Sequence, residues 1–163
     1  MKQLTSSTHL TPAPQDVFAE MNTTDFQDAK CLATKPLSHS VDVSQDGEET
    51  VLRTERVLPT DSLPDIVGKV VGKSVKVIEV QRWGQPRPDG SRTADIRVEV
   101  PGAPFTVAGS GVLVPNDGGT RQEFELNINC TIPVLGGKVE KAVAPIVQKA
   151  MDAEGRILTQ RLG

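Results

Sequence analysis

The chain has 163 residues, of which 37% are hydrophobic and 3% aromatic, with no tyrosine and a net charge of -3 at pH 7. That length suffices for one domain with a real core, expected to span residues 1–163. The basic residues are scattered among acidic ones, which leaves no electrostatic footprint for nucleic acid, and the scarcity of aromatics removes the stacking platforms of single-strand binders. No apolar run approaches the roughly 20 residues of a membrane span, and Met1 to Leu10 lacks the apolar stretch of a secretion signal, so no membrane span and a cytoplasmic location are expected. Cys31 and Cys130 have no thiol or histidine at zinc spacing near them, and two buried, reduced thiols are the expectation.

In chain order, a polar strand from Gln3 to Leu10 is separated by Pro12 and Pro14 from a helix carrying Val17, Phe18 and Met21 on one side. Thr23 or Thr24 then caps a second short helix through Phe26, Ala29, Cys31 and Leu32. From Leu37 the pattern has period two: Leu37, His39, Val41 and Val43 alternate with serines and Asp42, and Asp46-Gly47 turns the chain into a strand from Glu49 to Leu58. Leu63, Ile66, Val67, Val70 and Val71 recur at helical spacing behind Pro64 and Asp65, so a short helix interrupts the sheet and plugs one end of the fold. Strands follow over Val75 to Trp83, Thr93 to Val100, Phe105 to Val114 and Gln122 to Ile132, divided by turns at Asp89-Gly90, Pro101-Gly102 and Asn116 to Gly119.

In the last strand Phe124, Leu126, Ile128, Cys130 and Ile132 share a dry face, opposite Glu123, Glu125, Asn127, Asn129 and Thr131. A final helix from Leu135 to Leu162 sets Leu135, Val139, Ala142, Val143, Ile146, Ala150, Ile157 and Leu158 on one broad side, with Lys138, Lys141, Lys149, Glu154 and Arg161 elsewhere. It is expected to lie on the dry face of a curved antiparallel sheet, kinked at Pro145.

The order strand, two short helices, six strands and one long helix is similar to that of the helix-grip fold. Leu58-Pro59, then Leu63-Pro64-Asp65, Trp83 at a strand end, and Ile132-Pro133-Val134-Leu135-Gly136-Gly137-Lys138-Val139-Glu140-Lys141 add to the likeness. Together these residues resemble an uncharacterised actinobacterial START-like family (DUF2505-type) of the START/Bet v 1-like superfamily. The resemblance covers nearly the whole chain and implies an α+β fold with an internal apolar cavity between sheet and helix. It transfers no catalytic residue.

Gly68-Lys69-Val70-Val71-Gly72-Lys73-Ser74 is one residue short of a phosphate-binding loop and runs from helix to strand, the reverse of what that loop needs. Gly109-Ser110-Gly111 lacks the third glycine and following helix of a dinucleotide fingerprint, and marks instead a strand that bends or that the final helix approaches closely. Neither histidine, His9 nor His39, has a partner for metal or nucleophile chemistry. No cofactor, metal site or catalytic residue is therefore assigned. The expected function is binding or carriage of a small hydrophobic molecule or lipid in an apolar cavity lined by Phe18, Phe26, His39, Trp83, Phe105, Val107, Phe124, Leu126, Ile128, Val143, Ile146 and Val147. The alternative is a cyclase or hydrolase of the same superfamily using inward polar groups, with Glu79, His39 and Arg53 the first candidates. The parity of Glu79 is ambiguous because Ile78 and Val80 claim the opposite face, and burial would raise its pKa.

Overall fold

Pro14 starts the helix Pro14–Met21 (α1), where its missing N–H costs no hydrogen bond, and Thr23 caps the next, Thr24–Leu32 (α2), its Oγ1 accepting from Phe26 N–H at 3.0 Å. The pair follows strand Lys2–Leu10 (β1) and precedes the hairpin of Ser38–Asp46 (β2) and Glu49–Pro59 (β3), which turns through Gly47 at φ 63°. The structure, a computed structural model, describes residues 1–61 and 63–163. Helix Asp65–Val71 (α3) leads into Ser74–Trp83 (β4), Arg92–Glu99 (β5), Phe105–Asn116 (β6), Gly119–Cys130 (β7) and the helix Gly136–Leu162 (α4). Strand β7 lies earlier than the Gln122 to Ile132 expected from sequence, because pairing begins at the hairpin contact of Gly119 with Asn116 and Thr131 N–H has already turned to the Pro104 carbonyl.

Among the described residues seven strands form one antiparallel sheet in the order β1, β7, β6, β5, β4, β3, β2. The register fixes its inner face: Arg56 lies opposite His39 and Val77, Thr54 opposite Glu79, Glu79 opposite Val98, Val98 opposite Val107, Val107 opposite Ile128, and Leu126 opposite Leu4. The long helix α4 lies on this face, as the helix-grip arrangement requires. It continues unbroken through Pro145, whose ring is on the exposed side. Leu135, expected on the packed side, is instead 43% exposed, because it precedes the helix at its N-cap rather than sitting on the apolar stripe.

The two glycines of β6 admit the neighbouring strand rather than the helix. A Cβ on Gly111 would meet the Phe124 ring at 2.7 Å, and one on Gly109 would overlap the Glu125 carbonyl. Gly155 is where α4 approaches the sheet, since a Cβ there would overlap Thr8 Oγ1 on β1. Replacing a helical glycine with alanine ordinarily gains about 0.5–1 kcal/mol, whereas overpacking costs about 1–3 kcal/mol, and the χ1 of a strand threonine is stiff. Overpacking should therefore win. Gly155→Ala is expected to lower the urea midpoint, and Thr8→Ala in the same chain to restore or exceed the wild-type value; an unchanged midpoint in the single variant would contradict this packing.

Candidate functional site

Midway along the inner face lies a buried set of charges that an apolar-cavity reading does not anticipate. Lys30 of α2 is four residues after the buried Phe26 and so shares its helix face; Glu154 of α4 falls between Met151 and Leu158 on the packed side; Arg56, Glu79, Gln81 and Gln122 take the inner parity of β3, β4 and β7. Lys30 Nζ lies 3.2 Å from Glu79 Oε2 and 3.1 Å from Glu154 Oε1. Arg56 Nη2 donates to Glu79 Oε1 at 2.6 Å, and Gln81 Nε2 to Glu79 Oε2 at 2.8 Å. Gln122 Nε2 donates to Glu154 Oε2 at 3.1 Å, and Trp83 Nε1 to Gln81 Oε1 at 2.9 Å. Two cations thus face two carboxylates, which is how charge is held away from water. Among the described residues Arg56 Nε and Gln27 Oε1, both buried, pair with nothing.

The two carboxylates titrate in opposite directions. Burial works to raise the Glu79 carboxyl, but Lys30 and Arg56 beside it, with the Gln81 amide, reverse this and hold it at about 2. The rise expected from burial alone is therefore corrected. For Glu154 burial prevails: Lys30 draws it down, Glu79 repels its charge, and its pKa is raised. Burial also works against the Lys30 ammonium, yet Glu79 and Glu154 together lift its pKa above the ordinary value. The Cys31 thiol, next to Lys30, is pushed up by burial.

The proposed lining residues divide around this cluster. Toward the α3 end, Phe105, Val107, Leu126, Ile128 and Val143 are buried, while Ile146 and Val147 of α4 and Val98 of β5 are half-buried. Toward the other end, Phe26 is fully covered and Trp83 packs edge-on against Phe18, ring centres 5.8 Å apart, with the Arg92 guanidinium 4.0 Å above the Phe18 ring. Phe124 is buried under Gly111, between Gln122 and Leu126 on β7. His39 faces inward from the edge strand β2 but stays half-exposed, its Nε2 3.1 Å from Asp28 Oδ1 of α2.

Three expectations are overturned. Arg53 points to the outer face, bonded to Glu55 at 2.8 Å, and the inward arginine is Arg56, three residues on and of opposite parity. The interior is not uniformly apolar, because Lys30, Arg56, Glu154, Gln81 and Gln122 are all buried with Glu79 among them. Cys130 is half-buried rather than buried; both cysteines are free thiols. Glu154, expected away from the packed side of the last helix, is corrected as well: it is buried on that side, and its signal was a carboxylate three residues from Met151 and four from Leu158 within an apolar stripe.

Two surface concavities are described outside the interior. One of about 590 Å³ is lined by Thr60, Asp61, Gly68, Gly72 and Lys73, and one of about 240 Å³ by Ser38, His39, Ser40, Glu55, Val57 and Lys76. Among the described residues no cluster of histidine, cysteine and carboxylate groups has the makings of a metal site, and no helix is long and apolar enough to cross a membrane.

A family model described as a protein of unknown function, DUF2505, matches residues 5–162. An uncharacterised protein of Mycobacterium tuberculosis is 29% identical over 120 residues, covering 72% of this chain and 68% of that one. Among solved structures, TTHA0849 from Thermus thermophilus superposes with a TM-score of 0.64 at 21% identity, covering 99% of this chain and 97% of that one. The Zhui aromatase/cyclase from a Streptomyces species gives 0.64 at 9% identity, with 99% and 93% covered. A STAR-related lipid transfer protein from Xanthomonas axonopodis gives 0.58 at 13% identity, with 97% and 86% covered. At these identities the likeness is one of fold, the START/Bet v 1-like helix grip.

The directions of the two carboxyl shifts give opposite pH dependences. Glu79, lowered in the folded chain, contributes stability above its unfolded value of 4.5 that is lost as pH falls toward about 2. Glu154, raised, contributes stability when protonated that is lost as pH rises through its folded pKa. Glu79→Gln is expected to lower the melting temperature at pH 7, by leaving Lys30 and Arg56 short of a counter-charge, and to flatten the acid limb below pH 4.5. Melting temperature against pH checks both; an acid limb identical to wild type would show that Glu79 is not the group titrating there.

Proposed function

Because the chain belongs to the DUF2505 family, whose description names no activity, we propose from its interior that it binds or carries a small hydrophobic molecule or lipid between the inner sheet face and α4. One observation supports this above others. At the α3 end, apolar side chains packed against the core stay only half-buried, namely Val98 and Val147 with Ile66 and Val70 of α3, whereas the end around Phe26 and Trp83 is closed. Apolar surface left in contact with water is what a hydrophobic ligand covers. Phe105, Val107, Leu126, Ile128 and Val143 form the buried wall behind it. The charged cluster forms the floor, and Arg56 Nε has an N–H to offer an acceptor oxygen, so a ligand with one polar end fits better than a pure hydrocarbon. That this fold is shared with proteins described as a lipid transfer protein and an aromatase/cyclase accords with a hydrophobic ligand.

A second reading, an enzyme of cyclase or hydrolase type, is favoured by the cluster itself. Two carboxyls share Lys30 while their pKa values are pushed apart, which is how one site keeps both a fixed anion and a proton carrier. Glu154 is then the proton carrier and Glu79 the fixed charge.

Val147→Trp fills the half-open end and is expected to abolish uptake of a fluorescent fatty-acid probe while leaving the circular dichroism spectrum and melting transition near wild type. Undiminished uptake by the folded variant would remove the ligand from this site. Turnover of an ester or polyketide-like substrate that vanishes in folded Glu154→Gln would favour the enzyme instead.

A further inference from the structure

We infer that the end of the molecule built from the Val100–Pro104 and Thr131–Leu135 turns docks on an anionic lipid surface. Val134 is 97% exposed and adopts φ 68°, a left-handed conformation that is uncommon for any side chain and an outlier for a β-branched one. Glycine would fit that backbone and remove the apolar group from water, so folding alone gives no reason for valine here. Leu135 follows at 43% exposure, and Pro133 before it is exposed. The second turn stands alongside, because Thr131 N–H and Oγ1–H both donate to the Pro104 carbonyl, at 2.9 and 3.1 Å. From Val100 to Phe105 and from Cys130 to Gly137 neither turn carries a charged side chain. The platform is anchored, since Val100, Ala103 and Ile132 pack against the core.

Around this apolar tip three exposed lysines outnumber one exposed acid, Glu99 at the end of β5. Lys138 and Lys141 project from the first two turns of α4, and Lys2 is exposed at the start of β1. Lysines are the wrong sign for a helix N-terminus, yet α4 has no acidic residue in its first turn and no side-chain cap. On the helix side the nearby acid, Glu140, is turned inward and accepts from Cys130 N–H at 2.9 Å. The helix end therefore adds its own positive potential to that of the lysines. An anionic bilayer complements this arrangement, a small apolar wedge flanked by Lys2, Lys138 and Lys141 against the single acid Glu99, and each lysine near such a surface strengthens attachment about fivefold. A folded protein or a second copy fits less well, because the tip falls far short of the roughly 20–30 residues per side that a stable protein interface uses. Attachment of this kind is shallow, reversible and weakened by salt.

The test is vesicle flotation of the full chain with phosphatidylcholine liposomes, with and without phosphatidylglycerol, at low and high salt. Flotation is expected only with phosphatidylglycerol and to be suppressed by salt. Lys138→Glu with Lys141→Glu should weaken it at least tenfold, and Val134→Asp should abolish it. Val134→Gly supplies the separate readout: relief of the left-handed backbone should raise the melting temperature while vesicle binding falls. Equal flotation with neutral and anionic vesicles, none with either, or a Val134→Gly variant that binds as well as wild type would overturn the inference. So would unchanged flotation of Val134→Asp together with an altered oligomeric state by light scattering, which would make the tip a contact between copies.

Discussion

The Lys30 ammonium between Glu79 and Glu154 is the contact on which the arrangement of helices over the sheet depends, because it joins α2, β4 and α4 through one cation. Such a set is no bargain in stability, since desolvating four charges costs several kcal/mol per ion and the attraction between them roughly repays it. What it supplies is registration. An apolar stripe tolerates a helix that slides or turns, but a slip of one residue in α4 rotates Glu154 by about 100° and takes it away from Gln122 and from Lys30, which keeps only Glu79. The place where Gly155 meets Thr8 lies one residue further along, so the same segment of α4 is held both by charge and by close approach.

The cluster also divides the interior. On its far side Phe18, Met21, Phe26, Trp83, Leu113 and Leu158 are packed to near-complete burial beneath the two short helices. On its near side the sheet carries Val98, Val107 and Ile128, the helix carries Val143 and Val147, and α3 is the cover. A helix of seven residues with Gly68 inside it and Gly72 after it is a weakly anchored cover compared with α1 and α2. The end beneath α1 and α2 is thus the more tightly packed of the two, and the α3 end the less covered.

Most of the architecture is legible in the sequence because strand parity and turn residues encode it locally. The alternation through Val41 and Val43, the Asp46-Gly47 turn, and the run from Phe124 to Cys130 each locate a strand. The charged cluster is less legible, since its members come from five elements and their proximity exists only after the sheet has curved. Strand β4 shows why: Val75, Val77 and Trp83 face one side and Ile78 and Val80 the other, so Glu79 has hydrophobic neighbours on both parities. Arg56 and Arg53 are told apart only by the register of β3 against β4, where Thr54 lies opposite Glu79. Gln122 shares the dry parity of Phe124 and Leu126, a signal of inward facing that is easily read as a strand end.

Cys31 gives this interior a built-in clock. Its sulfur is covered beneath α2 beside Lys30, and burial keeps the thiol protonated, so both access and nucleophilicity are withheld from an electrophile while the helix is seated. The rate at which an alkylating reagent reaches it therefore measures how often α2 lifts from the sheet, a local opening separate from unfolding of the whole chain. Cys130, half-exposed at the opposite end of β7, is the reference thiol in the same molecule, and the ratio of the two rates reports the breathing of the charged centre without any added label.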